Sequence, residues 1–159
     1  MPEHRAVLNA ISYAGESTVR DHLYDKDRTP NKMGAPKTHY YRQAGDSASG
    51  SVVNGKITIT VKQIGIRQRY YGGVITPKNA KRLTIPLRPE ARGKRASEFQ
   101  NLYIRGKALG RDVGGSFQAL YALVTRVTQK ADPTVLPDNE KMLRSANEAV
   151  LNWMESNLG

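Results

Sequence analysis

The hydrophobic period of this 159-residue chain changes twice, and that change restricts its fold more than any single residue does. From about Glu3 to Leu23, Val7, Leu8, Ile11, Ala14, Thr18, Val19, His22 and Leu23 recur near helical spacing, with Glu3, Arg5, Asn9, Glu16 and Arg20 outward. In the centre the period drops to two. Ile57, Ile59 and Val61 alternate with Thr58, Thr60 and Lys62, as a half-buried strand requires. Asn54-Gly55 just before them supplies the positive φ values of a type I′ hairpin turn. The helical period returns after Asp132-Pro133 and Pro137. There Asp138 is placed to cap a helix reaching about Asn157, with Met142, Leu143, Ala146, Ala149, Val150, Trp153, Met154 and Leu158 as its apolar stripe. This order predicts an α+β fold: a mostly antiparallel sheet packed by an N-terminal and a C-terminal helix, in a single domain over residues 1–159.

Between the first helix and the hairpin, residues 25–50 are polar and punctuated by Pro30, Gly34, Pro36, Gly45 and Gly50. The pattern predicts a long loop or extended arm. Such a segment is normally functional or ordered by a partner, which makes Asn31, Lys32, His39, Tyr40 and Tyr41 candidate arm residues. Further on, Gly65 breaks the phase of the strand and suggests a bulge. Leu83, Ile85 and Leu87 mark a short strand, 90–99 a short helix, and Leu102 with Ile104 another strand. Gly106, Gly110, Gly114 and Gly115 predict a glycine-rich hairpin tip over 105–116. Phe117 to Val127 is apolar on both faces and is expected to be the central strand, covered on both sides.

The residues needed for most chemistry are missing or scattered. With no cysteine, disulfides, thiolate zinc sites and cysteine nucleophiles are excluded. His4, His22 and His39 stand alone, without the spacing of metal ligands. Glu90, Glu98 and Asp112 form no local acid–base pair, and no phosphate-cradling glycine motif is present. No enzyme activity, metal or cofactor is therefore expected. No stretch approaches the ~18 apolar residues of a membrane span, and residues 1–20 lack the pattern of a secretory signal. The expectation is a soluble, intracellular protein that makes no membrane contact.

Charge is the remaining signal. Lys and Arg number 25 against 14 Asp and Glu, a formal net charge of +11 that favours polyanionic partners. The cations crowd the middle of the chain, and the interaction candidates are Arg67, Arg69, Tyr70, Tyr71, Lys78, Lys81, Arg82, Arg92, Lys94 and Arg95. Arginines interleaved with tyrosines, as in Arg67-Gln68-Arg69-Tyr70-Tyr71-Gly72-Gly73, can grip phosphates and stack bases. That gives one functional reading, a basic nucleic-acid-binding module. A purely structural reading of the same residues has Tyr70 and Tyr71 straddling a sheet edge while the two glycines turn the chain.

A second reading comes from likeness. The stretch Gly65-Ile66-Arg67-Gln68-Arg69-Tyr70-Tyr71-Gly72-Gly73-Val74-Ile75, followed by Pro77-Lys78 and Leu83-Thr84-Ile85-Pro86, resembles virion morphogenesis or tail-completion proteins of long-tailed phages, of the Mu-type morphogenesis family. Pro30-Asn31-Lys32-Met33-Gly34, Thr38-His39-Tyr40-Tyr41, Gly93-Lys94-Arg95-Ala96-Ser97-Glu98-Phe99 and Val127-Thr128-Gln129-Lys130-Ala131-Asp132-Pro133 are similar to the same group, so that the likeness spans about Leu8 to Val150. Lys130 to Pro137 lacks the aromatic Arg-Pro-Phe-type turn with which the family often ends its last core strand. The resemblance implies a structural protein of the virion neck or tail end, a tail terminator or head–tail joining protein, present in the host cytoplasm during assembly. It also implies a homo-oligomeric ring, hexamer or dodecamer, contacting other neck, connector or tail proteins and possible DNA in the channel.

Overall fold

Helix α1 (Pro2–Arg28) runs five residues past the predicted end at Leu23, and its last turn carries Lys26 and Arg28 where the helix dipole favours cations. The computed structural model describes residues 2–158, so Met1 and Gly159, the two ends of the expected 1–159 domain, lie outside the described residues. What the sequence suggests is one domain forms two compact units: residues 2–29, 39–71 and 131–158 in the first, 30–38 and 72–130 in the second. The α+β class holds, with antiparallel sheets between an N-terminal and a C-terminal helix.

In the first unit, α1 packs along α4 (Asn139–Leu158), and the two are tied by the Thr18 hydroxyl donating to Ser145 Oγ at 2.7 Å. The Asp138 carboxylate caps α4 by accepting from Lys141 N–H at 2.8 Å, as the sequence predicts. The sheet against the N-terminal helix is the hairpin of β1 (Ala48–Val53) and β2 (Lys56–Val61). Its turn is the predicted one, with Asn54 at φ 50° and Gly55 at φ 73°. Val19, Leu23, Ala44 and Ala48 are buried and form the core, against which Ile59, Val61, Ile66, Leu136 and Met142 pack.

The approach of α1 to the hairpin is close. A Cβ on Gly50 would lie 2.5 Å from Ser12 Oγ and 2.9 Å from the Ser12 carbonyl oxygen, so only glycine fits there. One turn along α1, the Glu16 carboxylate accepts from Gly50 N–H at 2.9 Å and pairs with Arg20. The Gly50 hydrogen bond, reinforced by Arg20, holds the Glu16 carboxyl below its ordinary 4.5.

Residues 25–50 are not an extended arm. The last turn of α1 takes the first four, α2 (Tyr40–Asp46) and the start of β1 take the last, and a short irregular piece remains between. That piece is folded on itself: Asn31 Oδ1 accepts from Met33 N–H (3.1 Å) and Ala35 N–H (3.0 Å), and Ala35 is buried. Gly65 is not a bulge either. It sits at φ 83° in the turn that starts α3 (Ile66–Tyr71), so Tyr70 and Tyr71 lie on a short helix and not at a sheet edge.

The second unit carries β3 (Gly73–Ile75) paired with β8 (Val127–Gln129), and a four-stranded antiparallel sheet. The latter contains β4 (Leu83–Pro86), β5 (Tyr103–Arg105), β6 (Ala108–Val113) and β7 (Ser116–Val124), in the order β4-β7-β6-β5. The apolar run predicted to be central does lie between two partners, with Leu120 and Tyr121 buried against Ala91 and Phe99. The region 105–116 is not one flexible tip, because β6 runs through it between two tight turns. The expected helix over 90–99 is two 3₁₀ turns, Pro89–Ala91 and Ala96–Glu98. The buried Tyr121 hydroxyl ties them to the sheet by donating to the carbonyls of Ala91 (3.3 Å) and Lys94 (3.0 Å).

Two outcomes test the α1–hairpin crossing. Gly50→Ala is expected to cost about 1–3 kcal/mol of unfolding free energy, read by urea denaturation, because the added methyl overpacks against the Ser12 backbone. Glu16→Gln lowers stability at pH 7. Because the folded-state pKa of Glu16 is depressed, its contribution is present above about 4.5 and is lost as pH falls through the lower folded value. The wild type is therefore expected to lose more stability between pH 5 and pH 3 than the variant, measured by thermal melts across that range.

Candidate interaction surface

Helix α3 is too short to persist by its own propensity, so its six residues are held by what they touch. The Arg69 guanidinium lies over the Tyr40 ring at 4.1 Å and near the Tyr41 ring at 5.5 Å, and Lys26 approaches the Tyr41 ring at 5.7 Å. The Tyr40 hydroxyl donates to the Ile64 carbonyl at 2.9 Å, and Arg69 accepts through its own carbonyl from Asp132 N–H at 3.0 Å. Burial pushes the Tyr40 phenol up, with the Arg69 charge opposing. This is a cation–aromatic clamp that fixes α3 onto α2.

The clamp settles where several sequence candidates lie. His39, Tyr40 and Tyr41 are drawn onto the first unit, with His39 Nδ1 2.8 Å from the Asp27 carboxylate. Arg67 is exposed and leans over Tyr71 at 5.8 Å, and Tyr70 meets Tyr71 edge-on at 4.8 Å between centroids. Tyr70, Tyr71 and Arg67 border an apolar cleft of about 390 Å³ floored by Val19, Ile59 and Leu136. Asn31 folds its own loop and Lys32 is exposed. In the second unit Lys78, Lys81 and Arg82 are exposed on the loop before β4. Lys94 lies 5.5 Å from the Phe99 ring, Arg92 is half-buried, and Arg95 N–H is capped by the Glu98 carboxylate. The ten basic and aromatic candidates are thus divided between the two units, with Arg67, Arg69, Tyr70 and Tyr71 in the first and the other six in the second.

Two features escape a linear reading. The first is on α4. Leu143, Leu151, Met154 and Leu158 are 64%, 58%, 45% and 67% exposed. At 3.6 residues per turn they fall within about 80° of one another, on the side opposite Met142, Ser145, Ala149 and Trp153. Met142 packs on the core, while Ser145, Ala149 and Trp153 border the α1 groove. The apolar surface of α4 is therefore one wide arc, in which Ala146 and Val150 join a covered flank to an exposed one. On α1, Tyr13 is 71% exposed beside the same groove.

The second is the distribution of charge. The first unit carries 11 Lys and Arg and 11 Asp and Glu, a net charge of zero. The second carries 14 Lys and Arg against only Glu90, Glu98 and Asp112, so its net charge of +11 equals that of the whole chain. Two of these three acids are engaged locally: Glu98 caps Arg95 N–H, and Asp112 accepts from the Tyr103 hydroxyl at 2.6 Å. Among the described residues no group of three His, Asp or Glu is placed to hold a metal ion, and no helix is long and apolar enough to cross a membrane.

Compared with protein families, curated proteins and solved structures, the chain matches none.

The clamp makes a discriminating prediction. Arg69→Gln is expected to lower unfolding free energy by about 0.5–2 kcal/mol, the range of a partly desolvated cation–π contact. Arg67→Gln, on the exposed side of the same helix, is expected to stay within about 0.5 kcal/mol of wild type. Urea denaturation of the two variants side by side checks both.

Proposed function

We propose that the chain is a structural subunit of a phage virion neck or tail end, acting in tail completion or head–tail joining. In this reading it assembles as a ring of identical copies and transforms no substrate. Its working place is the virion, after assembly in the host cytoplasm. The motif likeness from Leu8 to Val150 gives the class. The observation that carries the self-assembly is the exposed apolar flank of α4, where Leu143, Leu151, Met154 and Leu158 are left 45–67% exposed by the other described residues.

Large apolar side chains gathered on one helix face lose their contact with water when a neighbour covers them, at roughly 25 cal/mol per Å². Ring subunits join by head-to-tail contacts, in which one patch meets a different patch on the next copy. The unit that carries this face has a net charge of zero, so copies meeting through it face no net repulsion from that unit.

Light scattering coupled to size exclusion tests the reading. The wild type is expected to elute as a closed oligomer, or to become one when mixed with purified tails or heads. Leu151→Glu combined with Met154→Glu is expected to abolish that assembly while leaving the melting temperature nearly unchanged, because both side chains are exposed in the isolated chain. A wild type that stays monomeric alone and binds neither tails nor heads overturns the proposal.

A further inference from the structure

Strand register in the second unit gathers cations from three separate segments. Ile75 pairs with Val127 and Leu83 with Val124, so the loop 76–82 that joins β3 to β4 runs beside residues 125–126 that join β7 to β8. Leu123 N–H donates to the Lys107 carbonyl at 2.8 Å, which brings the β5–β6 turn to the same end of the sheet. Lys78, Lys81 and Arg82 from the first segment, Arg126 from the second and Lys107 from the third are all exposed. No Asp or Glu occurs in residues 72–89, 99–111 or 113–130, so no acid within these segments offsets the five charges.

We infer that this end of the sheet is a binding surface for the phosphate backbone of nucleic acid, read without regard to base sequence. Three neighbouring strands at about 4.8 Å spacing spread the cations over roughly 10 Å, before the reach of the side chains is counted. Duplex DNA presents one negative charge per ~1.7 Å of axis, about six charges over that width. Long, exposed Lys and Arg side chains on the polar loop Thr76-Pro77-Lys78-Asn79-Ala80-Lys81-Arg82 suit phosphate contact. An interface with an acidic protein would instead need a core, and such cores are depleted in lysine and built on aromatic anchors. Phosphate contacts hold a duplex without carrying sequence information. The inference does not depend on ring assembly, because it uses only residues of the second unit.

Fluorescence anisotropy of the full chain with a labelled duplex of arbitrary sequence tests it, at salt concentrations from 50 to 200 mM. Affinity is expected to fall linearly on a log–log plot, with a slope of up to about −4.5 if all five cations meet phosphates. Lys107→Gln with Arg126→Gln is expected to weaken binding at least tenfold at 50 mM and reduce the slope by about 2. Lys78→Gln with Lys81→Gln, on a different segment, is expected to do the same, which separates lost contacts from a folding defect. Arg5→Gln with Lys56→Gln, in the first unit, is expected to leave both quantities unchanged. A labelled single strand in parallel distinguishes the sources of phosphate, with a slope nearer −0.7 per contact if single strands are the ligand. No binding to either probe at 50 mM, an unchanged slope in both double variants, or equal competition by polyglutamate at matched charge each overturns the inference.

Discussion

The crossing of α1 over the β1–β2 hairpin is the constraint on which the first unit rests. Ser12 and Gly50 leave no room for a side chain between helix and strand, and Glu16 converts that proximity into a charge-assisted hydrogen bond to the strand backbone. Once the helix is seated there, Val19 and Leu23 fall over Ala44 and Ala48, and the other side of α1 is free to receive α4. The same helix reaches the segment that returns to this unit. His22 Nε2 lies 2.8 Å from the Thr134 carbonyl, and Lys26 donates to Thr134 Oγ1 at 3.0 Å, over a turn whose Val135 is fully buried. A single long helix thus organises elements drawn from opposite ends of the sequence.

What could be read beforehand was whatever depends on neighbours in sequence. The Asn54-Gly55 turn, the alternation after it and the Asp138 cap are local chemistry, and each appears where its residues dictate. The misread parts depend on distant contacts. Gly45 and Gly50 look like breakers in a loop, yet both are packing glycines: a Cβ on Gly45 would lie 2.7 Å from the Tyr24 ring, as one on Gly50 would strike Ser12. The supposed arm is compact for that reason, since the glycines permit close approach and do not merely loosen the chain. Helix α3 gives no periodic signal over six residues, and its form comes from the Arg69 clamp on Tyr40, a contact across 29 positions.

The candidate surfaces were legible only as an inventory. The sequence shows that cations crowd the middle, but not that one unit holds the entire net charge while the other balances to zero. That division follows from the way the chain passes between units, which a linear profile blurs. It gives the molecule two chemically different halves: one neutral, with an open apolar helix face, the other a concentrated positive field. An assembly built on the neutral half would repeat that field with each copy.

The route of the chain has a further consequence. It makes a short excursion from the first unit over residues 30–38 and a long one over 72–130, and at the ends of the long one the Arg69 carbonyl and the Asp132 amide are joined at 3.0 Å. Within the second unit, Gly73 and Gln129 stand opposite each other as partners in a two-stranded ladder. The long excursion, residues 72–130, is therefore closed at its base, with its two ends held together within each unit. A change of length or charge in a loop between those two ends leaves the path of the helices through the first unit as it is.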